Sequence, residues 1–119
     1  MGLEMKWQPI NFKGETFDFC AEHLILRLRI REPYKVAGRK HGWHPPIGFS
    51  INKEALLYAL NRGCKIWVTI GTSNKTYQID AKTWWEFVQK HKSFEEHNGV
   101  VLCVIQWSDE YFTRVENPD

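Results

Sequence analysis

The 119-residue sequence predicts a single α+β domain, with a mainly antiparallel β-sheet of about five to seven strands and two α-helices packed on one face. Three observations indicate this class. Short segments alternate apolar and polar residues, two longer segments show helical spacing, and turns rich in glycine and asparagine separate them. Apolar residues make up 43% of the chain, which is enough for one globular core.

The N-terminal region predicts a lead-in followed by a hairpin. Residues 1–9 are expected to form a loose segment, with Trp7 as a candidate anchor. Apolar and polar side chains then alternate on both sides of Lys13-Gly14, which is typical of a short β-hairpin. A helical spacing of apolar residues competes over residues 16–25, so the sequence leaves helix and strand open there.

The next segment, residues 24–31, predicts a half-buried strand. Its apolar and basic side chains alternate with a period of two, so they point to opposite faces of a sheet. The apolar face contains Leu26, Leu28 and Ile30, and the basic face contains Arg27, Arg29 and Arg31. Residues 32–47 contain several proline and glycine residues, which predicts a long basic loop.

A capped helix and a hairpin are predicted next. Asn52 is a good N-cap for a helix over residues 53–61, and Gly63 suits the left-handed residue that ends one. The β-branched and aromatic residues of 65–70 predict a strand, which a turn joins to a return strand over 76–79.

The last part of the chain shows a similar order of elements. Asp80 is a candidate cap for a second helix over 81–91. Residues 100–105 are apolar throughout, which predicts a central strand, and residues 111–115 are expected to return as an edge strand. Helix, glycine, strand, turn and strand thus occur twice, over 53–79 and 82–115, which hints at an internal duplication.

Charge is unevenly distributed along the chain. Between His23 and His44 there are six lysine or arginine residues against one acid, which gives +5, so the rest of the chain carries −3 because the total is +2. Segregated positive charge favours a polyanionic partner.

The basic strand and loop predict a nucleic-acid interface. Alternate residues of a strand lie about 6.6–6.8 Å apart, close to the phosphate spacing of an extended single strand, and arginine binds phosphate through two hydrogen bonds. Aromatic rings interleaved with cations suit single-stranded DNA or RNA. The candidate residues are Arg27, Arg29, Arg31, Lys35, Arg39, Lys40, His41, Trp43, Lys65 and Trp67.

A solvated outer face is the competing interpretation of this strip. The arginine stems would then cover the sheet and pair with Glu22, Glu32 or the acidic C-terminal residues. The sequence also leaves open whether the sheet face opposite the helices is bare, covered by a partner or closed by the N-terminal segment.

A zinc site is a minor alternative for the same region. Cys20 and His23 form one pair at a spacing that zinc uses, and His41 and His44 form another. Structural zinc sites favour cysteine, and this set contains only one, so the prediction is that the chain carries no cofactor.

No catalytic motif points to an enzyme. The sequence lacks a nucleophile elbow, a phosphate-binding glycine-rich loop and a zinc-protease motif. The acids Asp80, Asp109 and Glu110 are better explained as cap and turn residues. A non-catalytic nucleic-acid-binding module is therefore the leading prediction. The alternatives are a protein-interaction domain for an acidic partner and a small metal-dependent nuclease.

Compartment and assembly are expectations from simpler features. Three widely spaced cysteines and the lack of a signal-peptide core predict a reduced, cytoplasmic protein without a membrane partner. A homodimer would use Trp85, which lies at the flank of the second helix, or the C-terminal hairpin, whose edge strand invites pairing.

Overall fold

The computed structural model describes residues 5–30, 34–35, 47–70, 75–90, 96–97, 100–104 and 113–116. In chain order these residues form β1 (Gln8–Phe12), β2 (Glu15–Cys20), β3 (Ile25–Ile30), β4 (Tyr34–Lys35), β5 (Ile47–Asn52), α1 (Lys53–Arg62), β6 (Lys65–Ile70), β7 (Lys75–Asp80), α2 (Ala81–Lys90), β8 (Glu96–His97), β9 (Val100–Val104) and β10 (Thr113–Val115).

The strands form two sheets. A six-stranded sheet has the order β1-β2-β3-β6-β7-β10, and a four-stranded sheet has the order β4-β5-β9-β8. Every pairing is antiparallel except the one between β3 and β6. The mainly antiparallel α+β class predicted from the sequence is confirmed.

A two-residue turn decides the structure of the N-terminal region. Lys13 has φ 49° and Gly14 has φ 89°, and positive φ at both central residues defines the type I′ turn, whose twist matches that of a hairpin. The side chain of Asn11 supports the turn by accepting the Gly14 N–H at 2.9 Å. Residues 16–20 are therefore strand, and the helical alternative is excluded.

The parallel pairing of β3 and β6 requires a crossover. The pairing begins where the Lys65 N–H donates to the Leu24 carbonyl at 2.8 Å. Parallel neighbours need a connection that passes over one face of the sheet, and here the connection contains β4, β5 and α1. Helix α1 is thereby placed on one face of the six-stranded sheet.

Both ends of α1 follow the sequence prediction. The Asn52 side chain accepts the Glu54 N–H at 2.8 Å, and its amide donates to the Phe12 carbonyl at 3.1 Å. Gly63 ends the helix in the left-handed conformation at φ 67°, and its N–H points to the carbonyls of Ala59 and Leu60. The cap therefore also ties the helix to the end of β1.

The main core lies between the helices and one face of the six-stranded sheet, which we call the helix face. Central strands β3 and β6 contribute alternate apolar side chains, β5 and α1 cover them, and Trp84 of α2 is almost completely buried. Tyr58 of α1 closes the β1–β2 end by edge-on contacts with Phe12 and Phe19.

The C-terminal strands differ from the predicted repeat. β9 has a partner on each side, as a central strand should, but these are β5 and β8 of the four-stranded sheet. β10 is an edge strand, as expected, yet it pairs with β7 of the other sheet. The prediction that this segment returns onto β9 is therefore wrong, because the described residues of β9 pair with β5 and β8.

Neither described helix has the length and apolar character that crossing a membrane requires.

The Asn52 cap yields a stability prediction. Asn52→Ala removes both side-chain hydrogen bonds and is expected to lower the free energy of unfolding by about 1.5–3 kcal/mol, from a lost cap and a lost bond to a carbonyl. Asn52→Ser keeps the capping oxygen but cannot reach Phe12, so it should lose about half as much. Urea unfolding measures both, with Asn61→Ala, an exposed change on the same helix, as the control. Equal losses for the two Asn52 variants would contradict the Phe12 bond.

The buried Cys64 yields a prediction about pH. Burial raises the pKa of the Cys64 thiol above its ordinary value of 9.0, and nearby Arg62 lowers it only in part. The thiol therefore ionises at lower pH in the unfolded chain than in the native protein. The stability that the buried, neutral Cys64 thiol contributes is present below pH 9.0 and is lost as the pH rises through the native pKa. The stability difference between the wild type and Cys64→Ala should shrink between about pH 7 and pH 10. A constant difference in urea unfolding would contradict this.

Candidate functional site

The face of the six-stranded sheet opposite the helices, which we call the polar face, carries a row of side chains in register. Asp18 of β2 lies across from Arg27 of β3, Arg27 across from Trp67 of β6, and Trp67 across from Gln78 of β7. The row crosses the four central strands at one level, so these side chains are direct neighbours.

Arg27 is held within this row. Its Nε and Nη2 both donate to Oδ2 of Asp18, at 3.2 and 2.9 Å. The arginine is only 4% exposed, whereas 31% of the Asp18 side chain is exposed. The charged partner in the same sheet replaces the hydration that Arg27 loses on burial, and so offsets the free-energy cost of removing its charge from water.

Trp7 lies over the middle of the row. The Arg27 Cζ atom is 4.1 Å from the centroid of the Trp7 ring, a cation–π contact. The ring also packs at 5.8 Å and 57° against Trp67. Met5 and Val115 pack against the same cluster. The N-terminal segment therefore closes this part of the face, and Trp7 is the anchor that the sequence suggested, although residues 8–9 belong to β1 and are not a loose lead-in.

Trp67 is equally enclosed. It is 7% exposed, and its Nε1–H donates to Oε1 of Gln78 at 2.9 Å. One level along the strands, the hydroxyls of Thr69 and Thr76 are 3.0 Å apart and fully buried. The prediction of side-chain direction is confirmed, since these residues do point away from the main core. Arg27 and Trp67 are both buried and both have partners within the chain, so in this conformation neither is exposed to a ligand; their role in nucleic-acid binding stays a prediction.

Two of the predicted cations remain exposed at the ends of the polar face. Arg29 lies across from Thr69 near the end of β3, and Lys65 lies across from Asp80 at the start of β6. Within the described ranges, neither side chain forms an ion pair. The structure therefore divides the strip into a covered centre and exposed ends.

Most of the remaining candidates fall outside what the structure describes. Lys35 belongs to β4, of which the backbone alone is described. The residues outside the described ranges are Arg31, Arg39, Lys40, His41 and Trp43.

The proposed zinc ligands are placed only in part. Cys20 is completely buried beside Ile25 and Trp67, and His23 is exposed in the turn between β2 and β3. His41 and His44 lie outside the described ranges. Among the residues that are described, no three histidine, cysteine or acidic side chains lie close enough together to hold a metal ion.

The candidates for assembly are also placed in part. Trp85 is half-buried and packs against the core beside the buried Trp84. Of the C-terminal hairpin, β10 is described, and its Arg114 lies over the Tyr77 ring at 5.8 Å.

Sequence reasoning missed Asp18 as the partner of Arg27. The signal was present but indirect: a four-residue turn between β2 and β3 places Asp18 directly across from Arg27. Recognising this partner required the pairing register of β2 and β3. The alternation of side chains along a strand tells which face of the sheet a side chain occupies, but not which residue of the next strand lies beside it.

Comparisons with known proteins assign no family: the chain matches no protein-family model, no curated protein and no solved structure.

The unequal burial of the Arg27–Asp18 pair yields a prediction. Asp18→Asn removes the carboxylate that pairs with the buried guanidinium of Arg27 and is expected to cost about 2–3 kcal/mol, below the cost for a completely buried pair. Arg27→Met keeps the apolar stem and leaves a carboxylate that water can reach, so it should cost about 1–2 kcal/mol. Urea unfolding of both variants and of the double variant tests this. A larger loss for Arg27→Met would contradict the assignment of the buried charge.

Proposed function

We propose that the protein is a non-catalytic nucleic-acid-binding module that favours single strands and contacts phosphates through Arg29 and the basic segment that follows β3. The observation that carries this proposal is the position of Arg29. It is exposed on the polar face and forms no ion pair with a described residue, and the chain continues from it directly into a strongly basic segment.

The sequence beyond Arg29 supports the proposal. Residues 31–40 contain four basic side chains and a single acid. Arg29 also lies on β3, which is paired on both sides in the sheet, and the sequence that follows contains further cations. Because Arg27 is neutralised by Asp18, it is left out of the phosphate contacts.

Single strands are favoured over duplexes for two reasons. Neither of the two described helices is basic enough to enter a major groove: each carries an acid, Glu54 in α1 and Glu86 in α2, among its lysine and arginine residues. The basic segment also contains Trp43, and an aromatic ring among cations suits stacking on unpaired bases.

Fluorescence anisotropy with labelled single-stranded and double-stranded oligonucleotides tests the proposal. The key variant is Arg29→Ser with Arg31→Ser. The matched control is Lys75→Ser with Lys82→Ser, which removes the same charge from two exposed lysines on other elements. If both arginines bind phosphate, the slope of log K against log salt should fall by about 0.7 for each lost contact, and the control should leave it nearly unchanged.

Other outcomes would redirect the assignment. Absence of binding at low salt would overturn the proposal. Equal effects of the two double variants would show that net charge, and no defined site, drives binding. Tight binding to an acidic polypeptide, with no response to oligonucleotide, would favour an acidic protein partner at the same surface.

A further inference from the structure

The geometry points to a second element of the proposed interface: a covered ring-stacking site, formed by Arg27 and Trp67 and occupied by Trp7, that takes a nucleobase when residues 5–7 are displaced. This inference rests on the proposed function and deepens it, because it names the group that would be recognised beside the phosphates. We call residues 5–7 the strap.

The site is built to hold a flat ring. The Arg27 guanidinium lies 4.1 Å from the centroid of the Trp7 ring and supplies the stacking contact, whereas the Trp67 ring lies 5.8 Å away at an angle of 57° and forms a tilted wall. An indole and a purine are both fused five- and six-membered rings of similar size. Arginine and aromatic side chains are the groups on which unpaired bases stack. The chain itself thus shows that a bicyclic ring fits here.

The floor of the site is fixed independently of Trp7. Asp18 holds the guanidinium from the neighbouring strand, and Gln78 accepts the indole N–H of Trp67. Both pairs lie in register across β2, β3, β6 and β7. Displacing the ring would therefore leave the stacking groups in position.

The strap is not part of the hydrogen-bonded pairing that fixes the floor. The pairing of β1 with β2 begins at Gln8, so the strap lies outside the ladder. Met5 and Trp7 of the strap pack against the cluster, and the ion pair between Lys6 and Glu22 spans 3.8 Å with both side chains largely exposed. Exposed ion pairs of this kind contribute little.

The site is also continuous with the proposed phosphate contacts. Arg29 lies two residues beyond Arg27 on the same face of β3, a separation of about 6.6–6.8 Å. A single strand bound through Arg29 would place a neighbouring base within reach of the Trp7 ring position.

A base analogue that reports stacking tests this inference. The probe is a thymidine oligonucleotide with one central 2-aminopurine, whose fluorescence falls when it stacks on another ring. Trp7→Ala should bind it about five-fold more tightly or better, which corresponds to the lower range for one stacked base, and should quench it more at saturation than the wild type does. Trp7→Ala combined with Trp67→Leu should lose the added quenching.

Two further variants test whether the change in quenching comes from the ring site, and not from the loss of any tryptophan or from a change in net charge. Trp85→Ala removes a half-buried tryptophan from the helix face and should leave the quenching unchanged. Lys6→Glu sets two acids against each other at the strap and lowers the net charge by two, so electrostatics alone predicts weaker binding. Increased quenching at saturation by Lys6→Glu would support the strap even if Trp7→Ala fails to fold, which circular dichroism would reveal.

The outcomes distinguish this inference from the proposed function. If the wild type binds in a salt-dependent manner and neither strap variant increases quenching, the ring site is overturned and the phosphate surface stands. If no form of the protein binds oligonucleotide at low salt, the proposed function fails. The ring site is then tested with 2-aminopurine riboside alone: quenching of its fluorescence by Trp7→Ala supports the ring site, and no quenching overturns it.

Discussion

The structure depends on the parallel pairing of β3 and β6 at the centre of the six-stranded sheet. Parallel neighbours need a crossover, and the one used here places α1 on the helix face, so Leu26, Val68 and their neighbours are buried there. The centre of the polar face is covered as well, although it carries Arg27, Trp67 and a pair of threonines.

Covering an arginine sets the chemistry of the polar face. Removing a guanidinium from water costs several kcal/mol unless a charged or polar partner replaces the hydration. Asp18 supplies that partner from the adjacent strand, and the Trp7 ring adds the face of its π-system. The other buried polar groups of this face also have partners on the next strand: the Trp67 indole N–H donates to Gln78, and the hydroxyls of Thr69 and Thr76 are hydrogen-bonded to each other. The face is thus a set of polar groups satisfied across strands.

Local features of the fold were predictable because they depend on neighbouring residues. Lys13-Gly14 can form a type I′ turn, Asn52 can cap a helix and Gly63 can end one, whatever the rest of the chain does. The partners of β9 and the burial of Arg27 depend on pairing between distant segments. The alternation of apolar and basic residues correctly predicted that Arg27 and Arg29 lie on the same face of the sheet. The same pattern does not show which of the two arginines Trp7 covers.

The contrast between Arg27 and Arg29 therefore bears directly on function. The two residues share a strand, a face and a side-chain type, but on β6 Arg27 lies across from Trp67 and Arg29 across from Thr69, and Arg27 also has Asp18 across from it on β2. Because Asp18 neutralises Arg27, the formal charge of residues 23–44 falls from +5 to +4 when this pair is counted together, and the remaining charge is centred closer to the segment after β3. A ligand drawn to that segment would meet Arg29 first and the covered row only after the strap had moved. Recognition of charge and recognition of a ring would then be consecutive steps on one strand.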